Sequence, residues 1–158
     1  MPDSEQHLVL FSLHGELYAL PVASVREIIR YVAPSATAAA SGLIQGMINL
    51  RGRVLPVVDI SSRLGRSLEV NSNTRILVIE LAVGALGLIV DTVDGVVRLA
   101  AEQIEPVPVA VADGFGDQVA AVGDRLIPLI NPERALGGVL PAPRRRTSSP
   151  ARERDKPA

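Results

Sequence analysis

Three aspartates stand where strands are expected to end: Asp59 in the first half of the chain, Asp91 and Asp94 in the second. Paired carboxylates can hold a divalent cation or share a proton. These three have no histidine cluster beside them, and no Asp-x-Asp-x-Asp loop with its closing glutamate. An aspartate at a strand end commonly caps the turn through its own side chain, and that role is expected here. His7 and His14 are the only histidines, one in a polar N-terminus and one at a hairpin turn. No serine lies in a Gly-x-Ser-x-Gly elbow, and Gly84, Gly87 and Gly95 lack the Gly-Lys-Ser/Thr ending of a phosphate loop. The absence of cysteine removes disulfides, thiolate metal sites and cysteine nucleophiles together. No catalytic residue, cofactor or metal is expected. The rival from the enzyme class is a metal-dependent hydrolase built on the three carboxylates.

The arginines say more. Gly46 to Ile60, GMINLRGRVLPVVDI, reads as two apolar strands split by Arg51-Gly52-Arg53. Hairpin tips ordinarily carry neutral turn formers such as Asn-Gly or Asp-Gly. Up to residue 137 the chain has ten arginines and no lysine. Arginine is favoured where a planar, bidentate grip on a carboxylate is wanted, or at a partly desolvated interface. A GC-rich genome would produce the same bias.

The elements that would carry these residues are short. Hydrophobic residues make up 47% of the 158 but aromatics only 3%, so the core must be built of Val, Leu, Ile and Ala. Such β-branched richness favours strands, and thirteen glycines with twelve prolines favour frequent turns. The acidic start does not resemble a signal peptide. The longest apolar run, Leu81 to Val90, is about half the ~20 residues of a membrane-spanning helix. A soluble cytoplasmic protein is the expectation. From Gly138 onward six basic residues oppose Glu153 and Asp155, so this proline-rich tail carries +4 of a net −1 and residues 1–137 carry −5. The tail cannot bury enough surface to order itself and is expected to be disordered, as are residues 1–7. With a negative domain and few aromatics to stack on bases, nucleic-acid binding is not expected.

Along the chain one order of events occurs twice. Strands are predicted over Leu8–Leu13 and Leu17–Pro21, then a short helix or helical turn from Val22 to Ile29, where apolar residues are spaced by three. One more helical turn is predicted over Gly42–Gln45, and strands over Met47–Leu50 and Val54–Ile60. After a polar connection, Arg75–Leu81, Leu86–Val90 and Val93–Val97 repeat the first three elements, and Gly123–Asn131 echoes Gly52–Asp59. Two similar all-β subdomains follow, roughly 8–66 and 75–136, each a small five-stranded barrel. Pro56 and Pro128 are expected at an edge, a bulge or a sharp bend.

These motifs in this order resemble the CheW family of bacterial chemotaxis coupling proteins. The likeness rests on Val25-Arg-Glu27-Ile28, Asn49-Leu-Arg51-Gly52 with Pro56 and Asp59, Gly87-Leu88-Ile-Val90-Asp91, Gln103-Ile-Glu-Pro106 and the strand to Asn131. It spans residues 8–136. The same domain occurs within the kinase CheA and the adaptor CheV. The resemblance implies two SH3-like five-stranded barrels around a shared core, no catalysis, and an adaptor that bridges chemoreceptor tips to the regulatory domain of a CheA-like histidine kinase. Contact with the membrane would be indirect, through receptor arrays. The length implies a free-standing adaptor over residues 8–137, and twitching-motility or surface-sensing systems use such adaptors too. The residues implicated in receptor or kinase binding are Val25, Glu27, Ile28, Asn49, Arg51, Gly52, Leu88, Val90 and Asp91. A receptor helix is expected in a groove between the barrels, touching Val25, Ile28 and the Leu88–Val90 strand. Arg51 is expected to pair with Glu27, leaving Arg53 a solvated charge.

Overall fold

The computed structural model describes residues 5–36, 44–61, 69–111 and 116–136. The basic tail and residues 1–4 lie outside that set, so the disorder expected of them does too. Eleven strands run in order: β1 (Glu5–Leu13), β2 (Glu16–Pro21), β3 (Val25–Arg30), β4 (Ile44–Leu50), β5 (Arg53–Val58), β6 (Arg75–Leu81), β7 (Gly84–Val90), β8 (Thr92–Ala100), β9 (Ile104–Val111), β10 (Gly116–Val122) and β11 (Arg125–Leu129). A short helix, α1 (Pro132–Leu136), follows. The expected all-β class is the one observed, in two sheets ordered β8-β1-β2-β11-β10-β9 and β3-β6-β7-β5-β4.

Period-two alternation with both faces apolar builds three cores from these strands. In β6, Ile76 and Val78 face the interior of the second sheet with Ile48, Leu55, Val57 and Ile89. Their neighbours Leu77, Ile79 and Leu81 face the other way, into a core shared by the two sheets. Phe11 and Tyr18 of the first sheet enter that shared core as a cross-strand pair, rings stacked 6.0 Å apart. Leu8, Leu10, Leu99, Ile127 and Leu129 fill the first sheet's own interior. Each fully buried aliphatic of this kind contributes about 1.5–3 kcal/mol of transfer free energy. Gly87 is needed for this packing, because a Cβ there would lie 2.7 Å from Ile76 Cγ2.

The two sheets share one five-strand plan. In each, a hairpin (β1-β2 or β6-β7) is flanked by an antiparallel strand (β8 or β3) and, through a short parallel contact, by a second hairpin (β11-β10 or β5-β4). The match extends to details. Val25 opposes Ile79 as Val93 opposes Phe11, and in both ladders the next residue, Arg26 or Asp94, is an extra one. The repeat seen in the sequence is therefore real. Its division at residues 67–74 is not where the sheets divide. β1-β2 is completed by β8–β11 from the second half, and β6-β7 by β3–β5 from the first, so the repeats exchange pieces reciprocally. The first sheet also carries β9 as a sixth strand.

Four local expectations change. Val25–Arg30 is strand, with a 3-10 turn only over Val22–Ser24. Pairing with β6 outweighed the spacing of three, leaving Ile28 exposed while Val25 packs on the shared core and Ile29 on the second sheet's own interior. Val93–Val97 is likewise part of strand β8. Of the helical turn placed at Gly42–Gln45, only Ile44 and Gln45 are described, and they begin β4. At the N-terminus, Glu5–His7 is not frayed but paired with Arg98–Ala100. Pro56 and Pro128 lie in strands interior to the sheet order, each one residue before a parallel contact begins (Val57 with Gly87, Leu129 with Ala19). A missing N–H costs little where the second ladder has not yet started.

Candidate functional site

The β4–β5 hairpin closes in two residues, with Leu50 opposite Arg53. Arg51 has φ 51° and Gly52 φ 88°, the left-handed pair of a type I′ turn. Asn49 secures the turn by accepting the Gly52 N–H on Oδ1 at 2.8 Å. A left-handed conformation costs a residue other than Gly, Asn or Asp about 1–2 kcal/mol, so Arg51 is not there for the turn. Its Nη2 donates to Glu27 Oε2 on β3. One residue earlier, Arg26 pairs in another direction, Nη1 to Glu80 Oε1 on β6. The bulge at Arg26 lets adjacent residues of opposite charge serve separate partners. Around the corner lies a cavity of about 170 Å³ lined by both ion-paired arginines, Glu27, Arg53, Leu50 and Leu55.

The Glu27–Arg51 pair is the one the sequence predicted, but it is more open than a partly buried pair. The Arg51 side chain is 68% exposed and that of Glu27 30%. Such a pair is worth about 0–1 kcal/mol, no more than the strain of the turn. Arg53 is exposed and has no ion-pair partner among the described residues.

The remaining candidates separate. Ile28 is 42% exposed on β3, opposite Leu77. Val25 is half-buried against the shared core. Leu88 and Val90 are fully buried in that core, which takes them out of any partner-binding surface. Both faces of β7 are covered, so its apolar run is packing. Between the sheets there is a hollow of about 240 Å³, but Pro21, Ser24, Glu80, Gln118, Asn131 and Glu133 line it, not the residues predicted for a groove.

Asp91 lies apart from the corner and shapes the β1–β2 turn, accepting the His14 N–H on Oδ2 at 2.6 Å. Asp94 Oδ2 accepts from Ser12 Oγ at 2.7 Å and Thr92 Oγ1 at 3.2 Å. Asp59 is buried and accepts from the Ser61 N–H at 2.9 Å. Asp91 and Asp94 together hold the end of β1, and Asp59 holds a strand end elsewhere. Sequence reasoning missed the Arg26–Glu80 pair. Its signal was the adjacent opposite charges in Val25-Arg26-Glu27, hidden by the helical reading of that segment.

The aspartates are committed to turns and strand ends of an all-β, two-sheet fold, and Arg51 presents an ion-paired guanidinium to solvent. Residues 7–140 match the CheW-like domain, and the chain belongs to this family of scaffold and adaptor proteins. It is 30% identical over 135 residues to the chemotaxis protein CheW of Klebsiella aerogenes, covering 83% of this chain and 81% of that one. It is also 30% identical over 149 residues to CheW of Rhizobium meliloti, covering 92% and 94%. Among solved structures, the scaffolding protein TtCheW from Thermoanaerobacter tengcongensis superposes with a TM-score of 0.73 at 32% identity, covering 80% of this chain and 88% of that one.

Proposed function

We propose that this protein is a non-catalytic adaptor in the cytoplasm, coupling chemoreceptors to the regulatory domain of a CheA-type histidine kinase in a membrane-associated array. Its family membership supports the general role. The observation that carries the finer reading is Arg51, held at a strained turn by a side-chain amide and an ion pair that together add little stability. A residue kept where the fold gains nothing from it is kept for a partner. The contact surface would comprise Glu27, Ile28, Asn49, Arg51 and Gly52, with Val25 beneath them. Leu88 and Val90 would support it from the core, and Asp91 would contribute from the β1–β2 turn, apart from that corner.

The test is reconstitution of kinase control from purified kinase, a receptor cytoplasmic fragment and this protein. Wild-type protein should join receptor and kinase in one complex, and Arg51→Ala should not. Capture of neither partner by the folded wild-type protein would defeat the proposal. Capture of a kinase from a twitching-motility or surface-sensing system would assign it to that system instead.

A further inference from the structure

At the far end of the β3–β6 ladder two cations face each other. Arg30 is directly opposite Arg75. Like charges at such a position are destabilising. Neither arginine forms an ion pair among the described residues. The equivalent pair in the other sheet, Arg98 opposite His7, has Glu5 3.9 Å from the imidazole. Residues 1–137 carry −5 overall, so an unbalanced cationic spot runs against the charge of its own domain.

The surroundings are fixed. The Asn71–Thr74 turn is closed by the Asn71 N–H to Thr74 Oγ1 at 2.9 Å, the Asn73 N–H to Asn71 Oδ1 at 2.8 Å and the Thr74 N–H to the Asn71 carbonyl at 3.1 Å. Arg75 Nη1 donates to the carbonyls of Ser72 and Thr74, each at 3.0 Å. These two bonds lock the guanidinium in place and use one nitrogen. The N–H groups on Nε and Nη2 have no partner among the described residues, nor do the five of Arg30. Arg30, Tyr31, Asn71, Ser72, Thr74 and Arg75 line an open cavity of about 380 Å³, with no acidic side chain in its wall among the described residues.

The geometry points to a site for an oxyanion, a carboxylate or phosphate group gripped between the Arg30 and Arg75 guanidinium groups. A planar fork held rigid by its own backbone suits two-point capture of such a group. An anion there would remove the cross-strand repulsion that the fold otherwise bears. This site is separate from the Arg51 corner and does not depend on the adaptor reading.

Arginine Nε–H resonances of the full chain, followed by NMR at constant ionic strength, test this. Sodium phosphate and a short poly-glutamate peptide are titrated separately against sodium chloride. Arg30 and Arg75 should shift saturably with at least one oxyanion, while exposed Arg53 and Arg125 follow only the bulk salt. Saturation by phosphate alone identifies a free phosphate group as the ligand. Saturation by the peptide identifies a carboxylate presented on protein. Arg30→Gln, at an exposed position that leaves the turn intact, should weaken the Arg75 response by about tenfold or more. Absence of saturation in both arms, or saturation unchanged in Arg30→Gln, overturns the assignment.

Discussion

Arg51 reaches Glu27 across 24 residues of sequence from a backbone conformation that asparagine or glycine would adopt at less cost. The turn and the ion pair thus pull against each other. Replacing Arg51 with Asn should leave stability in urea unchanged or raise it by about 1 kcal/mol, since asparagine suits the left-handed region. The same variant should lose assembly with receptor and kinase. Full binding by Arg51→Asn would show that the arginine is incidental.

A double-mutant cycle on Glu27 and Arg51 should return a coupling energy of at most about 1 kcal/mol in stability, because both side chains retain contact with water. The coupling should be larger in the binding measurement, where a partner excludes that water. Arg53→Ala should change neither. Strong coupling in stability would mean the corner is more closed in solution than its exposure indicates.

Core and surface can be separated on one apolar motif. Leu88→Ala should cost about 2–5 kcal/mol by leaving a cavity in the shared core, and Val90→Asp should prevent folding. Ile28→Asp should shift stability by about 0.5 kcal/mol or less while weakening partner binding. A folded Val90→Asp protein with selective loss of binding would restore the groove expected from the sequence.

The tail from Gly138 should be dispensable for coupling, since its proline-rich, basic composition does not support a packed core. A chain ended at Gly137 should match the full chain in melting temperature and in kinase activation assays. Normal folding without assembly would assign the tail a role.

Separately produced fragments 1–70 and 71–137 should each give poorly dispersed NMR spectra, and mixing them should recover the native one. Each fragment holds one hairpin and the flanking strands of the other sheet. A monomeric, folded 1–70 fragment would contradict the exchange of strands.

Much of this was legible beforehand because it is local. The strand of Arg75–Leu81 and the Arg51-Gly52 turn follow from residue type and spacing, and the repeat from matching order. What was hidden is non-local. Nothing within Val25–Arg30 says that β6 will pair with it, and an apolar spacing of three reads as helix until that partner is known. Leu88 and Val90 looked like surface because a strand buried on both faces and one lining a groove have the same composition. The exchange of flanking strands leaves no mark on composition, since the exchanged pieces are themselves alike.

That exchange also sets a timetable. Ser12 must wait for Asp94, 82 residues further along, before their hydrogen bond can form. At ribosomal speeds this is a delay on the order of ten seconds. Throughout it the nascent β1-β2 hairpin has neither flanking strand, and its apolar edges are open to other chains. The protein is therefore vulnerable while being made, and its cellular yield should depend on chaperone capacity more than its final stability suggests.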